Sequence, residues 1–114
     1  MKMNLENQFS INKFLSLIII SLMLILGSAC ADKKESKQKY FDRGMELFEQ
    51  GNFTKARLEF KNVLQIDPKD ANAYYMFGQI EEKEENWPKA YALFLRATEL
   101  DPRHVDAQVH LGTI

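Results

Sequence analysis

Few side chains in this 114-residue sequence have the chemistry of catalysts or metal ligands. It contains one cysteine, Cys30, and two histidines, His104 and His110. One cysteine excludes an internal disulfide and a multi-cysteine metal site. A spacing of six residues places the two histidines on different sides of a helix, so we expect structural or incidental roles for them. No nucleophile with a paired base and no glycine-rich phosphate loop is visible, and the sequence predicts neither an enzyme nor a cofactor.

An acidic run at 81–85, Glu-Glu-Lys-Glu-Glu, is the other candidate for cation binding. Calcium-type loops interleave acidic ligands with turn-forming Gly and Asn, which this run lacks. We therefore predict a solvated helix end instead of a metal site. Some fraying is expected, because glutamates near a helix C-terminus oppose the helix dipole.

Length and charge narrow the class of protein. A chain of 114 residues has room for one small domain and little else. The formal net charge is −1. Near-neutral charge gives no electrostatic reason to expect nucleic acid as a partner.

Cys30 closes a segment with the composition of a secretory signal. Residues 14–26 form an uncharged run of thirteen residues, FLSLIIISLMLIL. A membrane span needs about 20 apolar residues, so this run is more typical of a signal-peptide core. Small residues at 27–29 precede the cysteine, and this ending resembles a bacterial lipobox. The resemblance implies a signal peptide at 1–29 and a diacylglycerol on the thiol of Cys30, which becomes the new N-terminus.

Other interpretations of this segment stay open. Cys30 could be a buried small hydrophobe or an incidental thiol, and 14–26 could be an uncleaved signal anchor. Lipidation would anchor the chain firmly, since several acyl chains bind a membrane stably. In enteric bacteria an Asp directly after such a cysteine favours inner-membrane retention. Ala31 stands there, so we expect the periplasmic face of the outer membrane, reached through a polar tether at 30–39.

The remaining sequence repeats itself with a period of 34 residues. The repeated positions are small, aromatic or proline residues, and no insertion separates the two copies. A fixed period of this length is typical of repeat arrays, in which each unit buries its apolar face against its neighbours. The matching pairs are Tyr40 and Tyr74, Gly44 and Gly78, Ala56 and Ala90, Phe60 and Phe94, and Pro68 and Pro102.

These positions resemble the tetratricopeptide repeat family, whose unit is a 34-residue helix-turn-helix. The resemblance implies an all-α fold with one repeat at 37–70 and a second at 71–104. A third repeat begins at 105–114 but shows only its first helix. A complete array ends in a polar capping helix, so we expect the chain to be a fragment or a truncated product.

Three positions depart from the family pattern. Arg43 stands where Leu is usual, Glu81 where an aromatic or apolar residue is usual, and Glu85 where Gly is usual between the helices. We expect each to weaken a local contact. The counterpart of Phe53 in the second repeat is Trp87, which we predict to fill the core between helices.

Turn and cap residues predict where the helices begin and end. We place the first two helices at 36–50 and 54–65, and the third at 71–84. Gly51 should end the first helix in a left-handed conformation, while Asn52 and Asp70 should cap the N-termini of the second and third.

In tetratricopeptide arrays the first helix of each repeat lines the inner, concave surface. The resemblance therefore implies a binding surface for a protein or peptide segment. Family members that hold a peptide carboxylate place Lys, Asn and Arg there, whereas this chain has Phe41, Met45 and Asp106 at comparable places. We therefore expect an apolar or amphipathic partner, unless Phe41 and Met45 pack against the tether or a neighbouring repeat. The predicted partner-binding residues are Phe41, Met45, Phe48, Tyr75, Met76 and Gln79.

A lipobox, a short tether and these repeats together resemble envelope lipoproteins of exopolysaccharide and protein-sorting systems, including those associated with PEP-CTERM. The resemblance implies a lipid-anchored scaffold for protein–protein contacts. Two alternatives remain: a lipoprotein that assists assembly of a type IV pilus secretin, and the docking part of a larger envelope enzyme. Sequence beyond Ile114 would separate the scaffold from the enzyme.

Overall fold

Five helices make up the regular structure of residues 4–114, which are the residues that the computed structural model describes, apart from the side chains of 26–29. The predicted all-α repeat fold is confirmed. Two compact units are distinguished, Met1–Lys34 and Glu35–Ile114. The helices are α1 (Leu5–Glu49), α2 (Phe53–Ile66), α3 (Ala71–Lys83), α4 (Trp87–Leu100) and α5 (Val105–Thr113).

Helix α1 begins much earlier than predicted. We expected a helix from residue 36 and a non-helical tether at 30–39, but the helix is continuous from Leu5. Residues 31–39 are Ala, Asp, Ser, Glu, Gln and Lys, most of which favour helices, and no proline interrupts them. The apolar side chains of the first unit are exposed, and by length and composition α1 could cross a membrane. A signal sequence meets the same criterion, so cleavage before Cys30 stays a prediction. The side chains of the small residues at 27–29 lie outside the described residues.

The predicted caps of the next helices are present. The Asn52 side chain accepts a hydrogen bond from the Lys55 backbone N–H at 3.3 Å. Asp70 accepts one from the Ala73 N–H at 3.0 Å. Each bond satisfies a backbone donor that the first turn of a helix leaves free. Gly51 has a φ of 75°, the left-handed conformation predicted for the end of α1.

Glu85 takes the same left-handed conformation without being glycine. Its φ is 61°, and the backbone hydrogen bonds around it repeat those around Gly51. A side chain in this conformation costs about 1–2 kcal/mol relative to a right-handed one. The turn geometry of the repeat therefore persists where its usual residue is missing.

Two phenylalanine rings pack directly on two glycines. A methyl group on Gly44 would lie 2.7 Å from the Phe60 ring, and one on Gly78 would lie 2.5 Å from the Phe94 ring. Both rings are fully buried. We predicted close approach at Gly44 with Ala56 as its small counterpart, but the ring of Phe60 fills that space.

The remaining repeat positions play supporting roles. Ala56 and Ala90 are fully buried, and Tyr40 and Tyr74 are half-buried. Tyr74 donates a hydrogen bond from its hydroxyl to the Pro68 carbonyl at 3.3 Å. Pro68 and Pro102 are exposed in the turns that follow α2 and α4.

Glu81 is buried, so the prediction of a solvated helix end is wrong for this residue. Its side chain is 2% exposed. The carboxylate accepts hydrogen bonds from Arg57 at 3.0 Å, Lys89 at 2.8 Å and Asn86 at 3.1 Å. Arg57 also bonds to Glu84 at 2.5 Å. Cations from α2 and α4 thus replace water around the carboxylate, which the acidic run alone could not indicate.

The electrostatics of this cluster keep Glu81 ionised. Burial acts to raise the pKa of its carboxyl group, but the hydrogen bond from Lys89 and the charges of Arg57 and Lys89 lower it below its usual value. Ionised Glu81 therefore stabilises the fold above the pKa that it has in the unfolded chain, about 4.3. That contribution disappears as the pH falls through the lower pKa of the folded state.

Trp87 is exposed, so the prediction that it fills the core is wrong. Its side chain is 48% exposed. Its counterpart Phe53 packs against Phe48 with ring centroids 5.4 Å apart. The residue 34 positions after Phe48 is Glu82, which pairs with His110 at 3.0 Å. Trp87 therefore lacks the apolar neighbour that covers Phe53.

Replacing Gly78 by Ala should destabilise the repeats by about 1–3 kcal/mol, because the new methyl group overlaps the buried Phe94 ring. The loss should occur although Ala favours a helix over Gly by about 1 kcal/mol. Gly112→Ala is the matched control, since nothing lies within 4 Å of its added methyl group. Urea unfolding of both variants, followed by circular dichroism, measures the difference. Equal stabilities for the two variants would contradict this packing.

Replacing Glu81 by Gln should lower the free energy of unfolding at pH 7 by about 1–3 kcal/mol, because Arg57 and Lys89 lose their shared anion. The two proteins should converge in stability below about pH 4, where the wild-type carboxylate becomes protonated. Urea unfolding between pH 3 and pH 8 measures this. Glu99→Gln is the control, since Glu99 pairs with Arg96 on the exposed surface. A difference that does not change with pH would show that the charge of Glu81 is unimportant.

Candidate functional site

Five of the six predicted partner-binding side chains are half-buried, and the sixth is in the core. Met76 is 4% exposed and packs with Phe60 and Ile80, so its assignment to the binding surface is wrong. Met76 and Ile80 are four residues apart and share the side of α3 that faces Phe60. The remaining five keep an accessible part, and four of them pack on the core cluster: Phe41, Met45, Phe48 and Tyr75, with Gln79 beside them.

The first repeat contains a small cavity beside Phe41. It has a volume of about 210 Å³ and is lined by Lys37, Gln38, Phe41, Asp70 and Asn72. The Phe41 ring contacts Phe60 edge-on, with centroids 5.5 Å apart, and is fixed by that contact. Cofactor pockets are usually about 300–1,000 Å³. A smaller cavity with an aromatic wall and an amide rim suits a single apolar side chain of a partner.

The charge of Lys37 is neutralised within the protein. Its ammonium group lies 2.9 Å from Asp70 and 3.1 Å from Asp67. The hydrogen bond to Asp70 raises the pKa of Lys37, although burial opposes the effect. The hydrogen bond from Lys37 in turn lowers the pKa of Asp67. The pairing links α1 to the turn before α3 and leaves Lys37 a weak attractor for an external carboxylate.

In the second repeat, aromatic and histidine rings fill the corresponding space. The Tyr75 ring lies 4.8 Å from His104, 5.6 Å from His110 and 5.7 Å from Phe94. Gln79 donates a hydrogen bond to the Tyr75 hydroxyl at 2.7 Å. Burial raises the pKa of Tyr75, as do the negative charges of Asp106 and Glu82.

The two histidines contact the same tyrosine, although six residues separate them. His104 is not inside α5 but caps it, since its Nδ1 accepts a hydrogen bond from the Ala107 N–H at 3.2 Å. Its Nε2 therefore carries the hydrogen and donates to Asn72 at 3.0 Å. His110 stacks on Phe94 at 4.8 Å. These contacts agree with the structural roles that we expected and correct the expectation of opposite sides.

Sequence reasoning missed Lys37, His104 as a cap, and Arg57. Each had a signal in the comparison of repeats. His104 lies 34 residues after the cap Asp70, and Lys37 opens the first repeat where Ala71 opens the second. Arg57 and Glu81 carry opposite charges in adjacent repeats.

Recognition is the chemistry that this arrangement supports, since it joins an aromatic wall, amide groups and internally paired charges. Among residues 4–114, no group of three or more His, Cys, Asp or Glu side chains is placed to hold a metal ion. Cys30 is exposed and not part of a disulfide.

Comparison with known proteins gives one family. No curated protein matches the chain. The family model described as tetratricopeptide repeat matches residues 47–112, more than half of the sequence. With two helical hairpins repeated every 34 residues, and a phenylalanine packed on a glycine in each, the chain belongs to the tetratricopeptide repeat family.

Proposed function

We propose that the repeats bind an apolar or amphipathic segment of a partner protein on the surface that contains Phe41. Tetratricopeptide repeats mediate protein–protein interaction, and this chain belongs to that family. The observation that carries the proposal is the cavity of about 210 Å³, which has an aromatic wall and a polar rim.

The lining residues favour a particular kind of segment. Phe41 would contact an apolar side chain of the partner, while the amides of Gln38 and Asn72 can donate to and accept from its main chain. Lys37 is held by two aspartates, so it offers little to a terminal carboxylate. The preferred ligand is therefore an internal segment with an apolar anchor residue.

A phage-displayed library of random peptides, selected against the full chain in lipid nanodiscs, would test this proposal. We expect enrichment of peptides with apolar anchors. Phe41→Ala should weaken binding of a selected peptide by about tenfold or more, as the loss of a central aromatic contact does. Leu58→Ala is the control, because Leu58 is exposed on α2 and does not line the cavity. Selection of peptides that need a free acidic C-terminus, or equal binding by both variants, would contradict the proposal.

The second part of the proposal is a lipid anchor at Cys30. It is supported by the apolar run at 14–26, the small residues at 27–29 and the exposed thiol that follows. Lipidated Cys30 would hold the repeats at the periplasmic face of a bacterial outer membrane. There the scaffold would serve exopolysaccharide or protein-sorting assembly, a role proposed by resemblance alone.

Intact-mass analysis and membrane fractionation of the full chain and Cys30→Ala, expressed in a bacterial host, test the anchor. The wild type should mature to a species that starts at Cys30 and carries the mass of attached lipid. The variant should lack that species, because no thiol is available to receive the diacylglycerol. An unprocessed wild-type chain in the membrane would contradict lipidation and identify 14–26 as an ordinary anchor.

A further inference from the structure

The outer face of α4 carries an exposed apolar ridge. Trp87, Tyr91 and Leu95 are 48%, 47% and 40% exposed. They are spaced by four residues, so their side chains form one continuous row on the helix surface. Pro88 and Ala92 are exposed directly beside this row. Because these two residues are small, they leave a shallow groove alongside the ridge.

The preceding repeat shows that this face of the second helix takes another helix. The residues 34 positions earlier include Phe53 and Arg57 on α2. Phe53 packs on Phe48, and Arg57 bonds to Glu81 of α3 at 3.0 Å. In α4 the cation is replaced by Tyr91, so a helix that docks here must match an apolar surface instead of a charged one.

We infer that this face binds a second copy of the chain, with α4 packed antiparallel against α4 of the other copy. A row of residues four apart is the kind of ridge that interdigitates with an identical row in the commonest class of helix packing. The large side chains of each ridge would lie over the small residues of the other groove. A two-fold axis near Tyr91 would bring each Trp87 close to Leu95 of the other copy.

The charges at the two ends of the ridge favour the antiparallel arrangement. Glu85 is exposed just before α4, and Arg96 is exposed near its C-terminal end. Antiparallel packing brings Glu85 of each copy towards Arg96 of the other, whereas parallel packing would place like charges together. The five residues of the ridge and groove are uncharged, so no like-charge contact forms between the two copies at the centre.

Sedimentation equilibrium of the full chain in density-matched detergent measures this association. We expect a reversible monomer–dimer equilibrium that Tyr91→Glu weakens by about tenfold or more, because it places two carboxylates near the two-fold axis. Leu58→Glu is the matched control, since Leu58 is a similarly exposed apolar residue on α2. A monomeric wild type, or equal self-association of wild type and Tyr91→Glu, would overturn the inference. The second outcome would also show that the apolar part of α1 drives association.

Disulfide trapping gives a readout that keeps the ridge intact. In a Cys30→Ser background, Ala92→Cys should form an intermolecular disulfide rapidly under mild oxidation, because the two copies of residue 92 lie close to the axis. Leu58→Cys should cross-link much more slowly. Equal rates for the two positions would overturn the α4 pairing, even if the protein dimerises by another surface.

Discussion

The buried carboxylate of Glu81 is the interaction on which the stacking of the two repeats depends. It lies on α3 and accepts hydrogen bonds from Arg57 on α2 and from Lys89 on α4. A buried anion is stable only when donors surround it, so the three helices must keep the positions that bring these cations to it. An apolar contact at the same place would tolerate sliding more easily, because it has no directional requirement.

The glycine–phenylalanine contacts set the distance between the helices of each hairpin. The Phe60 ring lies on Gly44 and the Phe94 ring on Gly78, with no room for a methyl group at either glycine. The helices consequently approach closely where the rings are buried. Glu81 then fixes how one hairpin sits on the next, so the two contacts act on different levels of the fold.

The two repeats share this framework but present different surfaces. In the first, Phe41 borders an open cavity of about 210 Å³. In the second, the equivalent residue is Tyr75, and rings of His104 and His110 cover it. The difference arises from α5, which supplies both histidines and lies against the second repeat. The proposed partner site is therefore at the first repeat, and the apolar ridge of α4 lies outside it.

Local features of this protein were determined by sequence, because they depend on residues that are neighbours along the chain or recur at a fixed period. The caps at Asn52 and Asp70 and the left-handed turn at Gly51 follow from side chains within three or four residues. The burial of Glu81 and Met76 and the exposure of Trp87 were decided only by tertiary structure. Each depends on what another helix contributes, and a single substitution there, such as glutamate at position 82, reverses the outcome for a residue whose own identity suits the core.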